Sequence, residues 1–211
     1  SIIFVIDSKV RKLSQNCFSC SAIESLTIPS SLTDLEEHWC EDSDNLIKVT
    51  ISPENRKYKL YEGKFVIGKE SLESENFDVF IFCPKKVEEE IIIPSFIKHI
   101  SPSSFQRVKG LKRVYFQANS EALTIGDLAF MFSSIEKITI PPSLISIEKF
   151  AFLCCKNLKT VEIPENSQLR VIKMKAFNRT GIESFTIPNK VTTIEESALS
   201  TCPKLKSIII P

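Results

Sequence analysis

Ile138-Thr139-Ile140-Pro141 decides the fold, because the rest of the chain keeps returning to it. Ile28-Pro29, Ile51-Ser52-Pro53, Ile93-Pro94, Ile163-Pro164, Ile187-Pro188 and Ile210-Pro211 are versions of the same ending, and Phe116 fills one slot without the proline. From Ile93 the steps to Phe116, Ile140, Ile163, Ile187 and Ile210 are 23, 24, 23, 24 and 23 residues. A fixed period of this size specifies a solenoid, in which each unit buries its apolar side against its neighbours alone.

Within a unit, Ile138 and Ile140 alternate with Thr139, the period of a short strand with one buried face. Proline then ends the strand, since it cannot donate to a ladder. A turn and an inward Ile147 follow. Glu148-Lys149-Phe150-Ala151-Phe152 is predicted to form a turn or two of helix, and Asn157-Leu158 closes the coil. A strand and a short helical return within about 23 residues make an α/β solenoid, the leucine-rich-repeat horseshoe with a parallel β-sheet face.

The stretch from Ile147 to Pro164 (IEKFAFLCCKNLKTVEIP) resembles the repeat of BspA-like surface antigens, a branch of the leucine-rich repeats. Asn55 to Ile67 (NRKYKLYEGKFVI) resembles that family's interrupting hairpin, with Glu62-Gly63 at the turn where the family commonly has Asp-Gly. The resemblance covers nearly the whole chain. It implies a cell-surface antigen or adhesin that binds host matrix proteins.

Three regions are expected. Residues 1–53 hold degenerate repeats, with Cys17-Phe18 where later coils have Ala-Phe and Trp39 near the equivalent place in the next. Residues 54–90 are an irregular hairpin insertion, because Ile51 to Ile93 is 42 residues and breaks the period. There Tyr58-Leu60, Phe65-Ile67 and Val79-Phe82 are predicted strands, and Glu70 to Asp78 an exposed, mobile loop. Residues 91–211 carry the regular repeats. The chain opens on Ser1 and stops at Pro211 in mid-repeat, and so reads as part of a longer protein.

Net charge is +1, so no global field recruits nucleic acid or an anionic membrane. The apolar runs, such as Ile2 to Ile6 and Ile91 to Ile93, fall far below the ~20 residues of a membrane helix. Four residues before each strand-ending position stand Glu89, Lys112, Glu136, Lys159, Glu183 and Lys206. Stacking the coils brings these alternating charges side by side, which favours the correct register.

Catalytic and cofactor chemistry finds little support. Of the seven cysteines, Cys17-Phe18-Ser19-Cys20 is the nearest to a metal motif, but it lacks a second pair or histidines at matching spacing. The repeat explains the thiols better: Cys20, Cys155 and Cys202 each stand three residues before the apolar residue that opens a strand, where cysteine serves as a small hydrophobe. Gly63 to Glu70 (GKFVIGKE) misses the phosphate-binding loop by placing Phe-Val-Ile where small residues are needed and Glu70 where a hydroxyl is needed. His38 and His99 have no nucleophile or metal spacing beside them. Arg107, Lys109, Lys112 and Arg113 cluster without the interleaved aromatics of a nucleic-acid site. The reading is therefore of no enzyme, cofactor or metal.

What remains is surface. The outward residues of the strand ladder are Thr27, Thr50, Ile92, Tyr115, Thr139, Glu162, Thr186 and Ile209, on the extended concave face that solenoids present to partners. The hairpin aromatics Tyr58, Tyr61 and Phe65 form a second candidate patch, and Asn178-Arg179-Thr180 is a glycosylation sequon. The expected function is protein recognition or adhesion. The alternative is an intracellular interaction module attached to a signalling or catalytic domain. An odd, mostly unpaired set of cysteines favours a reducing compartment and the resemblance favours the cell surface, so location stays open.

Overall fold

The computed structural model describes residues 1–3 and 8–211, so most of the apolar run Ile2 to Ile6 lies outside the described residues. Among the described residues nineteen strands follow one another. The first five are β1 (Ile2–Ile3), β2 (Lys12–Leu13), β3 (Ser25–Ile28), β4 (Asp34–Leu35) and β5 (Lys48–Ile51). Three more fill the break in the period: β6 (Tyr58–Tyr61), β7 (Phe65–Gly68) and β8 (Val79–Phe82). Long and short strands then alternate as β9 (Glu90–Ile93), β10 (His99–Ile100), β11 (Arg113–Phe116), β12 (Thr124–Ile125), β13 (Lys137–Thr139) and β14 (Ser146–Ile147). The last are β15 (Thr160–Glu162), β16 (Val171–Ile172), β17 (Ser184–Thr186), β18 (Thr193–Ile194) and β19 (Ser207–Ile209).

The Ile-Pro strands stack in parallel as β1-β3-β5, β9-β11-β13-β15 and β17-β19. After β3, β9, β13, β15 and β17 the proline carbonyl accepts the amide of the residue three positions on, as Pro94 does from Ile97 and Pro141 from Leu144. The tight turn drops that residue into the corner of the coil, where Ile97 and Leu144 are wholly buried. The chain next makes a second sheet, which the sequence reading treated as a single inward residue. Strands β8, β10, β12, β14, β16 and β18 pair in parallel, and the two-residue strands β10, β12, β14 and β16 each contribute one inward residue, Ile100, Ile125, Ile147 and Ile172.

The short helical returns are not there: among the described residues the returns contain no helix. Each return instead carries two non-glycine residues of positive φ, four positions apart: Ser103 and Arg107, Leu128 and Phe132, Phe150 and Cys154, Lys175 and Arg179. A right-handed helix cannot pass through such residues. The hydrogen bonds show what the strain supports. Phe150, Phe152 and Cys154 donate their amides to Met174, Ala176 and Asn178 of the next coil, while Ala151, Leu153 and Cys155 donate back to the residue three earlier. Alternate amides thus run along the solenoid axis, and the return forms a third inter-coil ladder that a helix would have internalised.

One buried phenylalanine from each of four successive returns, with Phe80 of β8 at one end, builds the C-terminal core. Phe80, Phe105, Phe130, Phe152 and Phe177 stack face to face, with centroids 4.6, 4.6, 5.1 and 5.0 Å apart. Phe18, Trp39 and Phe82 form a shorter column in a separate N-terminal core.

The interruption joins these two cores. β6 and β7 form the hairpin, turning where Glu62 and Gly63 both have positive φ, and β7 pairs antiparallel with β8. Every residue of β7 is buried, so the Gly63 to Glu70 segment is hairpin turn and core strand. The β7–β8 register slips between Val66 and Ile67, which face Phe82 and Phe80 respectively. That extra residue reverses the side on which β8 presents its side chains. Phe80 and Ile67 thereby enter the C-terminal core, while Phe82 and Val66 enter the N-terminal one.

Candidate functional site

Period-2 alternation places the ladder residues on the outer side of the long strands. β9 runs exposed, buried, exposed, buried from Glu90 to Ile93. Ile92 is 59% exposed and Ile209 58%; Thr27, Thr50, Tyr115 and Thr139 are partly exposed, and Glu162 and Thr186 exposed. Ile92 sits beside Tyr115, Thr139 beside Glu162, Thr27 beside Thr50 and Thr186 beside Ile209. The row breaks where β5 does not pair with β9 and where β15 does not pair with β17. Its longest continuous block is therefore Ile92, Tyr115, Thr139 and Glu162.

A second outward row lies two residues earlier on the same strands and was missed in the sequence, although the same period points to it. Glu90, Arg113, Lys137 and Thr160 are register partners in turn. Arg113 holds Glu90 at 2.5 Å, and Lys137 reaches diagonally to Glu162 at 2.7 Å. Thr139 donates a further hydrogen bond to Glu162 at 3.0 Å. The Lys137 ammonium keeps the Glu162 carboxylate below the usual range, and Glu90 raises Arg113. The face is thus an exposed isoleucine and a tyrosine ringed by fixed, paired charges.

The alternating charges ahead of the strands do align through the backbone: Lys112 donates to Glu89, Glu136 to Lys112 and Lys159 to Glu136. Of these positions only Lys112 and Glu89 close a side-chain ion pair among the described residues. The basic cluster is likewise tied up, with Arg107 on Asp42 at 2.6 Å, Arg113 on Glu90 and Lys109 on the Phe132 carbonyl.

Two candidate groups need correction. Tyr58 and Phe65 are 3% and 7% exposed, so they do not form the open aromatic patch expected of the hairpin. The Tyr58 hydroxyl accepts the Leu35 amide at 2.9 Å, and burial pushes it up to about 12. Phe65 packs on Phe80. Only Tyr61, edge-on to the partly exposed Phe96, keeps an open side. The sequon is not displayed either: Asn178 is buried, and its side-chain amide donates to the carbonyl and hydroxyl of Ser200 in the next coil.

The thiols follow the repeat. Cys155 donates to the Phe130 carbonyl at 2.9 Å and Cys202 to that of Phe177 at 3.1 Å, each bonding back into the preceding coil. Burial pushes Cys40 and Cys155 up to about 12 and raises Cys83 as well; it also raises Cys17, but Cys17 and Cys20 are exposed to reagents in solution. A thiol reagent at pH 8 is therefore expected to label Cys17 and Cys20 rapidly in the native protein. Cys40, Cys83 and Cys155 should react only on unfolding, as mass spectrometry of labelled peptides would show.

The sequence model for the BspA type leucine rich repeat region matches residues 2–65 and 75–206 in six copies. Among curated proteins none matches. Solved structures that share the fold include a leucine-rich repeat protein from Eubacterium ventriosum, at 20% identity and a TM-score of 0.72, over 95% of this chain and 52% of that one. The pneumococcal vaccine antigen PcpA aligns at 21% identity and 0.67, over 96% of this chain and 43% of its own. A leucine-rich repeat protein from Bacteroides ovatus aligns at 21% and 0.58, over 94% and 52%. The chain thus spans about half the length of these solved chains.

Proposed function

Because the chain belongs to the BspA-type leucine-rich-repeat family, we propose that it is a non-enzymatic recognition scaffold for proteins, binding through the outer side of β9, β11, β13 and β15. The observation that carries this reading is Ile92, 59% exposed on the edge strand β9 of a parallel sheet and alongside Tyr115. An apolar and aromatic centre with a rim of paired charges is the anatomy of a protein interface. The pairs Arg113–Glu90 and Lys137–Glu162 hold the rim in place, so little side-chain freedom is lost on binding. Thr27, Thr50, Thr186 and Ile209 extend the same side beyond the block.

Adhesion is the form of recognition that we favour, since the family it belongs to consists of surface antigens by resemblance and the fold is shared with a vaccine antigen. Immobilised fibronectin, laminin and fibrinogen, probed by biolayer interferometry, test it. The wild-type chain is expected to bind at least one of them, and the double variant Tyr115→Arg/Thr139→Arg to bind at least tenfold more weakly with an unchanged Tm. Equal binding by the variant would remove this face from the reading, and wild-type silence across the panel would remove matrix adhesion.

A further inference from the structure

The long-strand sheet has a gap where the repeat breaks. Among the described residues β5 pairs only with β3 and β9 only with β11, so two successive Ile-Pro strands turn free edges toward a common cleft. Elsewhere the residue ahead of a strand accepts two amides from the next coil: Glu24 accepts from Ile47 and Lys48, and Glu89 from Lys112 and Arg113. The equivalent bonds from Glu89 and Glu90 to Ile47 are missing among the described residues. A cleft of about 450 Å³ occupies the place of that ladder step. Its walls are Val49 and Ile91, Phe65 from the hairpin lies between them, and Ile47 stands 47% exposed at the side.

The charges at this cleft are unequal. Lys48, Lys64 and Lys86 line it against a single carboxylate, Glu88, which Lys64 already holds at 2.8 Å. Lys48 and Lys86 are exposed and enter no salt bridge among the described residues.

We propose that this cleft takes an extended, acidic peptide segment of a partner protein, added as a strand between β5 and β9. Facing free strand edges supply main-chain hydrogen bonds, the buried apolar walls take alternate side chains, and the two free lysines select carboxylates on the others. The site is separate from the outer face of β9–β15 and does not depend on that face binding anything.

The probe is fluorescein-labelled (Glu-Val)4, amidated at its C-terminus and read by fluorescence anisotropy. The wild-type chain is expected to bind it saturably, and (Lys-Val)4 at least tenfold more weakly. Lys48→Glu/Lys86→Glu should weaken binding at least tenfold at unchanged Tm, since both side chains are exposed. N-methylation of alternate peptide amides should do the same, because it removes strand hydrogen bonds and leaves charge intact. Tyr115→Arg/Thr139→Arg should bind the probe as the wild type does, which keeps this site distinct from the outer face. Undiminished binding by the lysine variant would place the peptide on another open edge, such as β19, and overturn the proposal. Undiminished binding of the N-methylated peptide, or no saturable wild-type binding, would overturn it equally.

Discussion

Phe130→Ala is expected to lower stability by about 3–5 kcal/mol, among the largest losses available in the C-terminal repeats. The ring is completely buried and lies between Phe105 and Phe152, within 7° of parallel to both. Truncation removes two stacking partners at once and leaves a cavity whose walls are poorly able to close. They are held by the return ladder, in which Phe105 donates to Ala129, Phe130 to Ala151 and Phe152 to Ala176. Because a solenoid couples each coil only to its neighbours, the loss at one coil is passed to both sides of the array. Urea unfolding followed by circular dichroism measures it. Phe150→Ala is the internal control: it too is a return phenylalanine, but it is only half-buried and has a left-handed backbone. Its truncation should cost under about 1 kcal/mol, as at surface positions generally. Similar losses at the two sites would mean that the stacked column does not carry the C-terminal core.

The contrast between Phe150 and Phe152 also marks where the sequence was legible. The Ile-Pro period announces the long strands, because proline ends a ladder and apolar alternation has only one buried face to serve. The outer positions of those strands follow by counting, and Ile92 and Tyr115 stand where the count puts them. The returns were misread because Glu148 to Phe152 has the composition of a helix, and composition does not reveal that Phe150 and Cys154 adopt left-handed backbone. That conformation is imposed by hydrogen bonds to Met174 and Asn178, one coil away. The second sheet was obscured for a different reason: two-residue strands such as Ser146–Ile147 are too short to show a period. Least legible were contacts across the interruption, where His38 meets Ser103 at 2.7 Å and Asp42 meets Arg107 at 2.6 Å. These partners lie 65 residues apart; they hold the same left-handed positions of neighbouring returns, but the inserted strands between them break the count that would have matched them.

Phe82→Ala is expected to cost a similar amount, about 3–5 kcal/mol, but in the other core. The bulge in β8 sends Phe82 against Trp39, with ring centroids 5.5 Å apart, and Phe80 against Phe105. Trp39 is the only tryptophan of the chain, so its fluorescence reports the N-terminal core alone. Circular dichroism is weighted toward the longer C-terminal array. In Phe82→Ala the fluorescence transition should therefore move to lower urea than the circular-dichroism transition. In Phe80→Ala the order should reverse, although the two residues are one position removed from adjacency in a single four-residue strand. Coincident transitions in both variants would show that the hairpin welds the two cores into one cooperative unit. Separated transitions would show that β8 is a hinge plate between two independently packed stacks, leaving the free edges of β5 and β9 on either side of a joint that can open.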